Sequence, residues 1–385
     1  MYDIRKITPH EVDDAIKLSE YSFKYKLVGE KRQQRVSFMS DHIVFGAFDG
    51  AQMIAKTHVI PLGVIINDHE YAMGGIASVS TYPEHRRKGI VNRLLDMALL
   101  TMREEGYIMS YLGPFDIGFY RRYGYELISN LKKTTVLATD LFYYKDVCGT
   151  VVRKRALEDL EAVNQVYAAW CRQYNGMLAR TEKWWRDSVN SEDLVAVYYN
   201  EAGQPRGYVF YNFKAEVMKV SEYAYLDEAS RRGLWNFISN HDSMVEKVEI
   251  TSADHESMSF LFNNPDAKIE IIPDFMGRVV LVKEFLDRYI TGDVGAGFNL
   301  VLTVHDARAQ WNTGVYQVSA TGVEFEASGK AEGLEMDINT FTALFLGCQK
   351  PEFLYESGRI TGDRDQLAML KQVLTTKQCA FIDRF

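Results

Sequence analysis

The chain has 385 residues, 47% of them apolar and 25% charged, and carries a formal net charge of −8. That length predicts two or three domains, and the composition excludes a disordered or fibrous chain. The acidity disfavours nucleic acid as a main partner and favours a cationic one through long-range attraction.

The first residues, Met1 to Lys6, lack the apolar core of a signal peptide, and no uncharged apolar run approaches ~18 residues, so a cytoplasmic protein without membrane contact is expected. Cys148, Cys171, Cys348 and Cys379 stand at no metal-ligand or redox spacing and are expected to be reduced and packed. No metal is expected.

Thr8-Pro9-His10-Glu11 before Val12, Ala15, Ile16 and Leu18 predicts a helix entry, with Thr8 capping and proline in the first turn. Two runs, 43–48 and 53–60, flank Asp49-Gly50 and predict a hairpin. Residues 62–66 read as a third strand and 71–81 as a fourth. Next comes Val79-Ser-Thr-Tyr-Pro-Glu-His-Arg-Arg-Lys-Gly-Ile90, after which Ile90, Leu94, Leu95, Ala98 and Leu99 fall at helical spacing.

Strand, basic glycine turn and helix together make an anion cradle. The first amides of a helix lack internal partners, and the dipole adds about half a positive charge there. Gly89 lets backbone approach a phosphate, while Arg86, Arg87 and Lys88 supply charge. A Walker loop is excluded for want of its first glycine, and the dinucleotide fingerprint because Gly89 stands alone. A further strand at 107–112 breaks at Gly113-Pro114 and is followed by residues 117–127. A hydrolase of the Gly-x-Ser-x-Gly type is excluded.

The next section repeats the first. Residues 151–160 echo residues 2–12, and 194–200, Gly203 and 206–212 echo the hairpin; 217–226 is then a strand. Ser230-Arg-Arg-Gly233-Leu-Trp stands where His85 to Ile90 stood, one residue shorter and without the lysine. Two copies of one fold are expected, the second without its cradle. From about Val279 the pattern changes: a helix at 281–290, strands at 298–304, 314–319, 323–328 and 334–338, and helices at 340–346 and 364–374.

Arg86-Arg-Lys-Gly89-Ile90 resembles the Arg-x-x-Gly-x turn with which GCN5-related N-acetyltransferases hold the pyrophosphate of coenzyme A. Phe119-Tyr120-x-x-Tyr123-Gly124-Tyr125 resembles that family's Tyr-x-x-x-Gly-Phe closing motif, and the order of elements matches over the first 130 or so residues. The last hundred resemble sterol carrier protein domains, whose sheet lines an apolar cavity. The whole order resembles the Eis (enhanced intracellular survival) family of bacterial N-acetyltransferases.

This resemblance implies an α+β protein: a catalytic acetyltransferase domain at 1–147, a degenerate acetyltransferase-like domain at 148–279, and a sterol-carrier-protein-like α/β domain at 280–385. It implies acetyl-CoA as donor and a primary amine of a cationic small molecule, aminoglycoside- or polyamine-like, as acceptor. The alternatives are a protein lysine, or a non-enzymatic protein that senses coenzyme A or binds an apolar ligand. A hexamer is implied as well. Val79, Ser80 and Thr81 would bind pantetheine through backbone groups. Arg86, Arg87, Lys88, Gly89, Ile90, Val91 and Asn92 would surround the pyrophosphate, with Phe115 and Asp116 flanking the cofactor.

Tyr120 would be the general acid, as suits a phenol facing a thiol leaving group. The terminal carboxylate of Phe385 would be the base, with Glu126 and Asp116 as rivals. The cleft is expected to carry Asp and Glu, with Phe23, Tyr25 and Tyr111 as walls. A lone histidine in a strand or turn is more often structural, which is how His58 and His85 are read.

Overall fold

The repeated strand pattern builds one continuous sheet. The structure, a computed structural model, describes residues 2–189, 193–290, 294, 295, 297–327, 329 and 331–385. The first third holds strands β1 (Asp3–Lys6), β2 (Ile43–Asp49), β3 (Gln52–Ile66), β4 (His69–Thr81), β5 (Met109–Leu112) and β6 (Glu126–Leu137). Its helices are α1 (Val12–Phe23), α2 (Glu30–Phe38), α3 (Ile90–Glu104) and α4 (Ile117–Arg121). The second third holds β7 (Thr150–Arg155), β8 (Met177–Leu178), β9 (Leu194–Tyr199), β10 (Pro205–Lys214), β11 (Val217–Tyr225), β12 (Lys247–Ala253) and β13 (Lys268–Val279). With them come α5 (Leu160–Trp170), α6 (Glu182–Ser188) and α7 (Glu228–Ser239).

Strand order is β1-β2-β3-β4-β5-β13-β6-β12-β11-β10-β9-β7, with β8 beside β3. The last strand of the second repeat, β13, thus lies between β5 and β6, while β6 pairs on its other side with β12. The two repeats share hydrogen bonds across this exchange.

Several local signals act as read. Glu11 accepts from the Thr8 backbone N–H at 2.7 Å, closing the turn ahead of α1, and Gly50 takes a positive φ at the hairpin. The two strands expected at 53–60 and 62–66 are one, β3, running through Pro61. β2 begins at Ile43, opposite Val59, so Pro61 falls where β3 has a neighbour on one side, and its missing N–H is tolerated. Ser230 to Gly233 form no turn: they lie inside α7, which begins earlier, at an Asp227 cap whose carboxylate accepts from the Ser230 N–H at 2.8 Å. That helix start is filled by the chain's own carboxylate.

The remainder comprises α8 (Val282–Tyr289), β14 (Asn299–His305), β15 (Gly314–Ser319), β16 (Gly322–Glu326), β17 (Leu334–Asp337), α9 (Ile338–Phe345), α10 (Pro351–Glu356), β18 (Ile360–Gly362) and α11 (Arg364–Val373). Their strands form a second sheet, β16-β15-β14-β17-β18. The expected end of the third of these strands at Ser328 lies outside the described residues. Val282, Phe285, Leu286 and Tyr289 put the apolar face of α8 into the core that also holds Tyr71 and Met109 of the first repeat. Fully buried Arg278 of β13 pairs with Asp306 at 2.5 Å, tying the large sheet to this last part. The four cysteines are free thiols; Cys148 is exposed. Among the described residues no helix is long and apolar enough to cross a membrane.

Candidate active site

Parallel pairing of β4 with β5 stops at Ile76 opposite Leu112, while β4 continues to Thr81. The strands diverge, and a cavity of about 650 Å³ opens between them. A bulge re-aims β4 at this point. Lys56 of β3 faces Ser80 whereas His58 faces Ala77, so Ser78 and Val79 share the space opposite Thr57, and Ser78 is held at φ 53°.

Of the expected site residues, Val79, Ser80, Thr81, Arg86, Arg87, Val91, Phe115, Tyr120 and Phe385 line this cavity. Lys88, Gly89, Ile90, Asn92 and Asp116 do not. Gly89 caps α3 at φ 73°, and a Cβ there would meet nothing within 4 Å, so backbone conformation alone asks for glycine. Lys88 is exposed and donates to the Tyr2 hydroxyl at 3.3 Å. The Ile90 side chain is buried in the core, leaving its backbone N–H at the helix start. Asn92 accepts from the Tyr123 hydroxyl.

The residues present suit a nucleotide diphosphate carrying a thioester arm. Exposed Arg86 and Arg87 flank the unpaired amides of the first turn of α3, and Arg86 is steadied by donating to the Thr81 carbonyl at 3.2 Å. The buried Thr81 hydroxyl has no partner among the described residues.

Tyr120 is 2% exposed and packs edge-on against Phe115 and Phe119. Burial pushes its phenol well above the ordinary value, so it stays protonated. The rival bases have other partners. Asp116 caps α4, accepting from the Phe119 N–H at 2.6 Å, and buried Glu126 pairs with Arg121 at 2.6 Å.

The C-terminal segment threads into the cavity from the second repeat. Backbone bonds join Asn175 to Gln378 and Ala380. Phe381 packs 4.6 Å from the Phe275 ring, and Arg384 pairs with Asp274 at 2.5 Å. The Phe385 ring then lies over Gly75, where a Cβ would approach it to 2.7 Å. Tyr111 is buried beneath Phe381 and is no cleft wall, contrary to expectation.

A second cavity of about 290 Å³ adjoins the first, sharing Ala77, Ser78, Phe23 and Phe385 with it. Tyr25, Arg35, His42 and His58 line it. The expected carboxylates are missing: neither lining includes an Asp or Glu side chain among the described residues. Nearby acids are engaged elsewhere, Asp13 with Arg32 and Glu20 with Arg32 and the Leu27 N–H. His85 rests edge-on against Tyr2, as a structural residue would. Sequence reasoning passed over Lys56, Ser78 and Arg180; only Lys56 left a trace, a lysine set among inward-facing apolar positions of one strand.

Residues 3–128 match the acetyltransferase (GNAT) domain, residues 176–279 match an acetyltransferase (GNAT) domain again, and residues 282–382 match the sterol carrier protein domain. Two such folds sharing a sheet and followed by a sterol carrier domain define a three-part acetyltransferase. The N-acetyltransferase Eis of Mycobacterium tuberculosis is 24% identical over 340 residues, 84% of this chain and 83% of that protein. An uncharacterized N-acetyltransferase of Streptomyces avermitilis is 23% identical over 403 residues, 97% of this chain and 95% of that protein. The crystal structure of a probable N-acyltransferase from Enterococcus faecalis superposes with a TM-score of 0.94 at 26% identity, covering 100% of both chains. The chain belongs to the Eis-like family of GCN5-related N-acetyltransferases. It is an acetyl-CoA-dependent acetyltransferase of α+β fold.

Proposed function

We propose that this protein acetylates a primary amine of a cationic small molecule, aminoglycoside- or polyamine-like, with Tyr120 as general acid and the carboxyl group of Phe385 as general base. The observation that carries the reading is convergence: the β4 edge, Arg86, Arg87, Tyr120 and Phe385 all line one cavity. The donor supplies a thioester as the activated acyl group. The free edge of β4 offers backbone N–H groups to the carbonyl oxygen as charge develops on it. The Tyr120 phenol, kept protonated by burial, hands its proton to the departing sulfur. The Phe385 carboxyl takes a proton from the attacking nitrogen.

Side chains of the lining are basic rather than acidic, so the pull on a cation comes from the net charge of −8 and from the Phe385 carboxyl. The family likeness suggests a hexamer working in the cytoplasm, which sedimentation of the purified protein tests for assembly.

Thiol release from acetyl-CoA, followed with a panel of polyamines, aminoglycosides and neutral or acidic amines, tests the substrate class. Turnover confined to the neutral or acidic amines would overturn it. Tyr120→Phe should lower turnover by about one to three orders of magnitude; unchanged turnover removes the acid role.

A further inference from the structure

A lysine with no carboxylate partner among the described residues lies buried beneath the junction of the two cavities. Lys56 has no exposed surface. Its Nζ lies 2.6 Å from the Ser78 hydroxyl, 3.2 Å from the Ser78 carbonyl and 2.9 Å from His58 Nε2. His58 in turn meets His42, Nδ1 to Nδ1, at 3.2 Å. Both rings line the second cavity; His58 is buried and His42 half-buried. Ser78 lines both cavities, and its hydroxyl also touches that of Ser19 at 3.1 Å.

A methionine would fill the same space without removing an ammonium from water, one of the costliest burials a protein makes. The left-handed backbone that carries the Ser78 hydroxyl to this amine adds strain to that cost. Cost gathered on a buried amine beside a substrate cavity points to chemistry.

We propose that Lys56, His58 and His42 form a proton exit for the acetyl-transfer reaction, entered at the Ser78 hydroxyl and leaving at His42. The proposal rests on the function above, with the acceptor amine reaching Ser78 where the two cavities meet.

An amine that arrives as the ammonium loses two protons on becoming an amide. The N–C bond forms and the C–S bond breaks; one proton ends on the thiol and one in water. Phe385 and Tyr120 account for the first. The second departs before attack, from the ammonium to the Ser78 oxygen as the hydroxyl proton moves to neutral Lys56. As an ammonium, Lys56 donates to all three neighbours, so His58 Nε2 accepts and His58 Nδ1–H donates to His42 Nδ1. Release runs along the same contacts. Lys56 returns a proton to His58 Nε2, His58 passes its Nδ1 proton to His42 Nδ1, and His42 gives its Nε2 proton to water. Both rings then regain their starting tautomers by exchange with water in the second cavity they line, before the next proton enters at Ser78.

The surroundings suit this. Burial, then Arg35, pushes Lys56 down to about 7, where one group can both take and give a proton. Burial, followed by Lys56, His42 and Arg35, holds His58 well below the ordinary imidazole range. Burial, with Lys183, Arg35 and Lys56 outweighing Asp41, brings His42 down to about 4. Both rings are neutral at rest and conduct by exchanging tautomers.

Two measurements on the full chain test the exit. Imidazole nitrogen NMR of the free protein, from about pH 6 to about pH 8.5, needs no substrate. His42 and His58 should exchange tautomers at one shared midpoint, and Lys56→Met should abolish the exchange. Rings that keep one tautomer throughout, or titrate as ordinary imidazoliums, overturn the proposal. With spermidine as probe amine, His42→Ala should lower kcat about 10- to 100-fold, with added imidazole restoring most of the loss and KM for acetyl-CoA unchanged. No loss, or a loss that imidazole leaves in place, also overturns it. Should wild type fail to acetylate spermidine or any other cationic amine, the substrate class falls and the NMR titration still decides the exit.

Discussion

Arg180 holds Asp383, two residues before Phe385, through an Nε–H donated to Oδ1 at 2.9 Å, while its other two nitrogens grip Glu222 at 2.9 and 2.6 Å. The guanidinium lies 3.9 Å from the Tyr167 ring centre and 4.4 and 4.5 Å from those of Trp184 and Trp185. The second repeat thus serves the first as a clamp that fixes where Phe385 lies. Arg180→Met should free the final segment, raise amide exchange across 379–385 and lower kcat about 10- to 100-fold. Affinity for acetyl-CoA should be retained, because the turn at Arg86 to Gly89 is built by other elements. Wild-type turnover alongside a released segment would rule out a role for the position of Phe385.

The same cluster buries two carboxylates with one guanidinium, one more than it can neutralise. Burial pushes the Asp383 carboxyl up to about 6 against the pull of Arg180, with Glu222 adding to the rise. In a released segment this group titrates near ~3.9. The docked form therefore binds more protons between about pH 4 and about pH 6, and docking tightens as pH falls through that window. Amide protection across 379–385, corrected for intrinsic exchange, should rise on acidification in the wild type and stay level in Asp383→Asn. Protection that falls instead would reverse the assigned balance of charge.

Gly75 offers a way to move Phe385 without touching the cradle. A side chain there would meet the Phe385 ring at 2.7 Å and Leu62 at 3.1 Å, while a strand otherwise accepts valine readily. Gly75→Val should displace the ring and depress kcat as strongly as one glycine added after Phe385. Calorimetry should find acetyl-CoA binding within about twofold of wild type, since this interaction would act on kcat rather than on donor binding. Full activity in both variants would leave the base to another group.

Signals confined to one window of sequence are legible in the sequence itself. The Asp49-Gly50 turn, the Thr8–Glu11 pair and the run from Arg86 to Gly89 each carry their physics within a few residues. What escaped joins distant segments. Arg180 and Asp383 stand 203 positions apart and Lys56 and Ser78 stand 22 apart, and no local pattern requires β13 to enter between β5 and β6. Gly233 misled for a different reason. Glycine usually punctuates, but here it lets α7 lie against the Tyr198 ring, which a Cβ would meet at 2.5 Å. The acid-lined cleft fails for a related reason: a sequence rich in Asp and Glu says nothing about which of them arginines such as Arg32 have already engaged.

The cost of keeping Lys56 has a pH signature of its own. Its amine titrates near ~10.4 in an unfolded chain but is pushed down to about 7 in the folded one, chiefly by burial. Across that interval the unfolded state binds the additional proton, so this residue makes stability rise with pH, and its penalty is complete only below about pH 7. Lys56→Met removes the titration while leaving Ser78 and His58 short of one hydrogen-bond partner, a loss that does not vary over the same range. Urea unfolding of the two proteins should therefore converge on raising the pH. The stability advantage of Lys56→Met over wild type should shrink by roughly 1–3 kcal/mol between about pH 6.5 and about pH 9. Curves that stay parallel would mean that Lys56 keeps an ordinary amine in the fold, and with it no neutral form to accept a proton.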